Sequence, residues 1–306
     1  MKEEKEKYIN LETGEFIEIG KNDRIKIISN KQQEAIDKSK TSNKLNKETK
    51  ELNKNLGGFV FLLFKYGDEI LSQHKEINSE DITRLFYLAT YVDFKGYLIY
   101  EDGFMIRKCM QELLKMSREK FTNYFNKMKK CEIFIIDEFK NIKINKNYFT
   151  KGEIDNEIKE YYGYTRLYIN TIRYLFENVI DSNKKRLGNY FKLIPYIHRQ
   201  SNVLCLNPNS RYEEIQIMTL YELKEIMGYS KNGVRGFINE LFSIKLKDGS
   251  PMIGFFVMSP DFWKSVVVVN PKIVYGGNYN LDGGVKYFEK WFQPELNNKI
   301  NNRGVL

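Results

Sequence analysis

Residues 110–134, MQELLKMSREKFTNYFNKMKKCEIF, and residues 220–246, LYELKEIMGYSKNGVRGFINELFSIKL, carry one pattern. In each, an apolar-periodic helix ends at a short turn, a serine follows, and a second amphipathic helix begins. Leu114, Met116, Phe121, Phe125 and Met128 of the first stretch correspond to Met227, Tyr229, Val234, Ile238 and Leu241 of the second. A helix-turn-helix needs this spacing, because its two helices bury apolar faces against each other across a tight turn. One such match is weak evidence. Two in matching surroundings point to DNA.

The surroundings do match. Helices are expected at about 58–73 and 163–180, each followed by a second helix that ends at Leu88–Val92 or at Leu193–Ile197. Short strands at Tyr97–Tyr100 and Val203–Leu206 precede the two helix-turn-helix segments. Two β-prone runs trail each of them: Ile133–Ile136 with Ile142–Ile144, then Met252–Met258 with Val266–Val269, the latter pair introduced by the turn at 247–251. Asn145 and Asn270 hold corresponding places, each with a glycine seven residues on. The second half is longer by a polar loop near 207–216, the kind of surface insertion that costs little.

The fold class expected is therefore α+β, mainly α, with two tandem winged helices and a flexible N-terminal arm. Residues 1–56 would hold a β-hairpin around Thr13-Gly14 and a polar arm at 29–56. Residues 57–152 and 160–277 would be the winged-helix domains, and 278–306 a helix at Val285–Phe292 with a polar tail.

The chain has 306 residues and a formal net charge of +9, which suits an anionic partner. Alanine occurs only at Ala35 and Ala89 while Lys, Asn and Ile abound, a bias that an AT-rich genome produces, so charge placement says more than its total. Residues 115–151 hold ten Lys or Arg against four acids, whereas 219–249 hold five against four. The first copy carries the charge.

In a helix-turn-helix the second helix enters the major groove. With Phe121, Phe125 and Met128 inward, Ser117, Arg118, Lys120, Thr122 and Asn123 face out. Arg118 suits guanine, Asn123 suits adenine, and Ser117 or Thr122 bond bases or phosphates. Lys127, Lys129 and Lys130 are expected to touch the backbone, and Lys140 and Lys143 in the wing to reach a phosphate or the minor groove. The second copy offers Ser230, Lys231, Asn232, Arg235 and Asn239. Gly233 and Gly236 there each cost roughly 1 kcal/mol of helix propensity and allow close approach to a backbone, or mark a helix that packs.

Catalysis is not expected. His74 and His198 cannot form an H-x-H pair, and no phosphate-binding G-x-x-x-x-G-K-[ST] occurs. The E-x-K at Glu138–Lys140 lacks a partner aspartate placed for a metal. Cys109, Cys131 and Cys205 lack the spacing of a disulfide framework or thiolate zinc site. No metal or cofactor is expected, nor a secretion signal or membrane span, so a cytoplasmic protein is.

Over roughly residues 57–277 the chain resembles the tandem winged-helix replication initiators of plasmids and plasmid-like phages of Firmicutes. The resemblance rests on the architecture, the SRE and SKN helix starts at Ser117 and Ser230, and the closing segments INKNYF and VNPKIV. It implies double-stranded DNA with repeated origin sites as ligand, a homodimer formed through one winged helix, and host replication proteins as partners. It places Arg118 and Asn123 of the first module, and Lys231, Asn232 and Arg235 of the second, at bases. The long arm and the weakly basic second copy depart from that pattern. The alternatives are a transcriptional repressor, a plasmid partition or transfer accessory protein, or a module that binds only proteins.

Overall fold

The run Phe59-Val-Phe-Leu-Leu-Phe64 is apolar at every position, and in the structure it is a strand, not the first helix expected. In this computed structural model the described residues are 5–9, 16–20, 39–40, 51, 53–65, 74–155, 157–158, 162–179, 181–199, 201–256 and 261–276. They fall in two compact units, within 1–45 and within 46–306. The first holds a hairpin of β1 (Lys5–Ile9) and β2 (Phe16–Gly20), with Ile9 opposite Phe16. The turn expected at Thr13-Gly14 lies outside the described residues, as do 278–306 and much of the arm.

The second unit is built on a four-stranded antiparallel sheet. β3 (Phe59–Phe64) pairs along its whole length with β9 (Gly163–Tyr168), from Phe59–Tyr168 to Phe64–Gly163. β8 (Phe149–Thr150) borders β3, and β12 (Val274–Tyr275) borders β9. Each half thus contributes its first and last strands, and the two first strands meet in the middle. Short apolar runs read alike as strand or buried helix, and only the distant partner strand decides. The second helix expected, at 163–180, likewise resolves into β9 and a shorter helix, α4 (Ile169–Asn178).

Over the sheet runs a helix pair drawn from both halves, α1 (Ser79–Ala89) against α5 (Asp181–Lys192). Asn78 starts α1 with a reciprocal cap: its side chain accepts from Asp81 N at 2.9 Å, and Asp81 Oδ2 accepts from Asn78 N at 3.3 Å. Phe86 of α1 stacks on Phe191 of α5 at 4.2 Å, and Tyr87 on Phe176 of α4 at 4.0 Å. Gly188 permits the crossing, since a Cβ there would stand 1.7 Å from Ser79 O. The halves therefore share one sheet and one contiguous core, in which Leu62, Leu85, Phe149, Leu167 and Val274 are all buried.

Around this centre each half carries a helix pair followed by a hairpin. In the first, β4 (Ile99–Tyr100) and β5 (Gly103–Phe104) lead to α2 (Arg107–Leu113), α3 (Arg118–Lys130) and a hairpin of β6 (Phe134–Ile136) with β7 (Ile142–Ile144). In the second, α6 (Leu220–Met227), α7 (Lys231–Ser243), β10 (Ile253–Phe256) and β11 (Val266–Val269) follow in that order. The bonding repeats with the elements. Leu98 N donates to Ile142 O and Leu204 N to Val267 O, both at 3.0 Å; Met105 N donates to Leu98 O and Met218 N to Leu204 O. Asn145 donates its backbone N–H to Ile133 O and its amide to Glu132 O, and accepts from Asn147 N. Asn270 does the same with Met252 O, Pro251 O and Lys272 N. The paired asparagines thus close the paired hairpins. The additional residues of the second half form the loop at 207–216, tied by Asn207 to Glu214 O and Gln216 N.

Candidate nucleic-acid interface

Each pair of helices turns through one left-handed residue, Lys115 (φ 53°) in the first copy and Gly228 (φ 62°) in the second. The serine that follows caps the next helix: Ser117 Oγ accepts from Lys120 N at 3.5 Å, and Ser230 Oγ from Gly233 N at 3.1 Å. Phe121, Phe125 and Met128 of α3 are buried, and so are Val234, Ile238 and Leu241 of α7. Burying those faces turns the others outward. Ser117, Arg118, Lys120 and Asn123 are exposed on α3, and Ser230, Lys231, Asn232, Arg235 and Asn239 on α7.

Two residues of α3 behave differently from expectation. Thr122 is half-buried, and its hydroxyl donates to Arg118 O at 2.8 Å, so its proton is occupied inside the helix. Lys127 does not face outward as a backbone contact. Its Nζ lies 2.6 Å from Oδ2 of Asp81, a carboxylate only 5 % exposed that Arg84 also approaches at 3.4 Å. A buried carboxylate needs such partners, because leaving it unpaired costs more than the pair returns. One turn on, Lys130 comes within 3.8 Å of Glu76, which also accepts from Cys131 Sγ at 3.4 Å. The C-terminal half of α3 is thereby fastened to the segment leading into α1. Asp81 and Glu76 lie far from α3 in sequence and carry no periodic signal that could have revealed them. Arg107 and Lys108, exposed at the start of α2, are further cations on this unit; Arg107 sits 4.3 Å over the Phe125 ring.

The first hairpin ends in a turn organised by Asp137. Its carboxylate accepts from the backbone N–H of Phe139 and Asn141, from the Asn141 amide and from Tyr97 OH, at 2.8–3.2 Å. Burial works against its ionisation, but these bonds outweigh it and hold the carboxyl below its usual pKa. Asp137 is thus consumed in building the turn. Phe139 (75 % exposed) and Lys140 (φ 65°) stand at its tip. Lys143 lies 4.2 Å over the Tyr97 ring, and its pKa is raised, first by Tyr97 and then by Asp137 and Asp93. Its charge persists but faces two acids. The second hairpin differs: Val266–Val269 are buried at every position, whereas Ile135 and Ile136 of the first are exposed.

The two glycines of α7 differ in the space around them. A Cβ at Gly236 would meet nothing within 4 Å, and one at Gly233 would meet chiefly Ser230 Oγ at 3.2 Å. Packing does not demand Gly236; the residue leaves a smooth patch between Arg235 and Asn239. Lys231 Nζ stands 5.8 Å from the Trp263 ring centre.

Comparison with protein-family models, with curated proteins and with solved structures finds no match. The chemistry of the interface must therefore be read from its own residues. Among the described residues no group of three or more His, Cys, Asp or Glu side chains is placed to hold a metal. His74 Nε2 bonds to Tyr148 OH at 2.9 Å, and His198 Nδ1 to Ser201 Oγ at 2.9 Å. Burial pushes the thiols of Cys131 and Cys205 up to about 11 and about 12, and that of Cys109 upward. Among the described residues no helix is long and apolar enough to cross a membrane.

Proposed function

We propose that the chain is a sequence-specific, double-stranded-DNA-binding protein made of two tandem winged helices, and that it initiates replication of a plasmid or plasmid-like phage from the cytoplasm. The observation that carries this is the paired placement of α3 and α7. Both are serine-capped, both bury one apolar face, and both turn out side chains suited to base edges: Arg118 and Asn123 on one, Asn232, Arg235 and Asn239 on the other. Lys120 and Lys140 supply phosphate contacts, and Lys231 meets bases beside Asn232 and Arg235. The shared sheet holds α3 and α7 in one body, and the pair would engage successive major-groove faces of the duplex. The smooth patch at Gly236 allows α7 to approach the sugar-phosphate backbone closely. With Val266–Val269 buried, α7 reads without a wing from that strand, and a homodimer contact falls to an exposed face of one of the two halves. Host replication proteins would be recruited by the assembled complex.

A salt titration on duplex DNA tests the class of function. A reader loses affinity linearly in log–log form as salt rises. Absence of binding at every salt concentration would leave a protein-interaction module standing instead. Footprints over several direct repeats beside an AT-rich stretch support initiation. One palindrome over a promoter would assign the same interface to a repressor, and a lone partition or transfer site to an accessory factor.

A further inference from the structure

The two helices proposed to meet DNA are both linked, each through an intermediary, to one buried amide. Asn189, on the face of α5 that meets α1, is 8 % exposed and engaged at both ends. Its Oδ1 accepts from Ser79 Oγ, and its Nδ2 donates to Tyr229 OH. Ser79 opens α1, and Asp81, two residues on in the same helical turn, holds Lys127 of α3. Tyr229 lies in the turn directly before Ser230, the cap of α7, and its ring packs edge-on against Phe237 of α7 at 5.6 Å. Asn189 is thus one hydrogen bond and one ion pair from α3, and one hydrogen bond from the start of α7. Arg186, one turn earlier on α5, adds a salt bridge to Glu240 of α7.

An apolar contact at this crossing would hold the helices together but let them slide. Hydrogen bonds weaken steeply with misalignment, so a doubly engaged amide fixes rotation as well as distance. Burial sharpens the effect, because a displaced partner is left without water. Thr83 Oγ1, donating to Lys184 O at 2.7 Å, and the tight approach at Gly188 keep the surrounding backbones from yielding.

We propose that Asn189 is a positioning residue: through Ser79 and Tyr229 it sets the placement of α3 relative to α7, and with it the half-site spacing the protein accepts. The spacing clause rests on the DNA-reading function above; the placement itself does not. The test uses the full chain carrying Cys109→Ser, with spin labels on Lys120→Cys and Lys231→Cys; Cys131 and Cys205 are buried thiols that do not label. The interspin distance is measured without DNA, in otherwise wild-type protein and in Asn189→Leu, which keeps the branched shape but loses both bonds. Tyr229→Phe, which removes one hydroxyl, is the milder variant should Asn189→Leu fail to fold.

The expected result is one narrow distribution in the parent and a broad one in each variant. On unlabelled protein, duplexes with half-sites in phase and a half-turn out of phase are then compared. The parent is expected to prefer the in-phase duplex at least tenfold, and the variants to lose most of that ratio. Unchanged distance distributions in the folded variants overturn the placement role. Broadened distributions with an unchanged spacing preference overturn the spacing clause. Broadened distributions in a protein that binds no duplex at any spacing overturn the DNA-reading function and leave the placement role supported.

Discussion

Gly188→Ala perturbs a tight helix-to-helix approach between the two halves. An alanine Cβ would lie 1.7 Å from Ser79 O, and ordinary contact begins at 3.4 Å, so the α1 backbone must retreat by about 1.7 Å. Ser79 O is main chain at a helix start and cannot swing aside as a flexible side chain would. Overpacking of this kind costs about 1–3 kcal/mol. The retreat also stretches the bonds from Thr83 to Lys184 O and from Ser79 to Asn189, each worth about 1 kcal/mol net. Alanine returns about 1 kcal/mol of helix propensity within α5. The balance is a loss of roughly 2–4 kcal/mol. Urea unfolding measures it, and Gly236→Ala is the internal control. At Gly236 the same substitution meets nothing within 4 Å, so it should stabilise by about 0.5–1 kcal/mol. A Gly188→Ala protein that unfolds at the parent's urea concentration or higher would refute the α1–α5 contact described above.

Arg118→Ala should weaken binding at the cognate site by about 1–3 kcal/mol and relax base choice at one position while leaving stability unchanged; equal affinity for all sequences before and after would remove Arg118 from base reading. Lys127→Met leaves Asp81 with Arg84 and Asn78 alone and should cost about 1–3 kcal/mol in unfolding, whereas a phosphate-contacting lysine would change only the salt slope of DNA binding. Asp248 is held below its usual pKa because the Lys272 and Ser250 bonds outweigh its burial. Its folded pKa is therefore below the unfolded value of about 3.9, so its stabilisation is full above that value and fades as pH falls through the folded pKa. Lys272→Met should flatten the stability profile in that acid range, and an unchanged slope between about pH 2 and 5 would discount the pair. Alkylation at neutral pH should leave Cys131 and Cys205 intact until urea is added; prompt labelling of either in the folded protein would contradict its burial.

The repeat was legible because it lies in local signals. Serine caps, apolar positions at helical spacing and the paired Asn145 and Asn270 are short-range features, and the hydrogen bonds around them recur as the sequence pattern suggests. The leading strands were not legible. FVFLLF and GYTRLY reveal their character only when laid side by side, 104 residues apart from Phe59 to Gly163. Lys127 failed for a related reason: three lysines near a helix end look alike until one is seen beside a carboxylate 46 residues away. Outward residues were easier than inward ones, since Arg118, Asn123, Lys231 and Asn239 need only a buried opposite face. Gly188 gave no signal, because a glycine required by a neighbouring backbone resembles one that merely weakens a helix.

The pairing of β3 with β9 places the two halves about a local two-fold relation. Leu62 and Leu167 occupy equivalent places, each bordered by its own half's last strand, and the two strands run antiparallel about the Phe61–Arg166 pair. Like strands crossing at a midpoint are how identical subunits meet in a two-fold dimer. Joining such subunits end to end replaces an encounter that depends on protein concentration with one that does not. Linked copies need not be self-complementary, and here residues 115–151 hold ten Lys or Arg against four acids whereas 219–249 hold five against four.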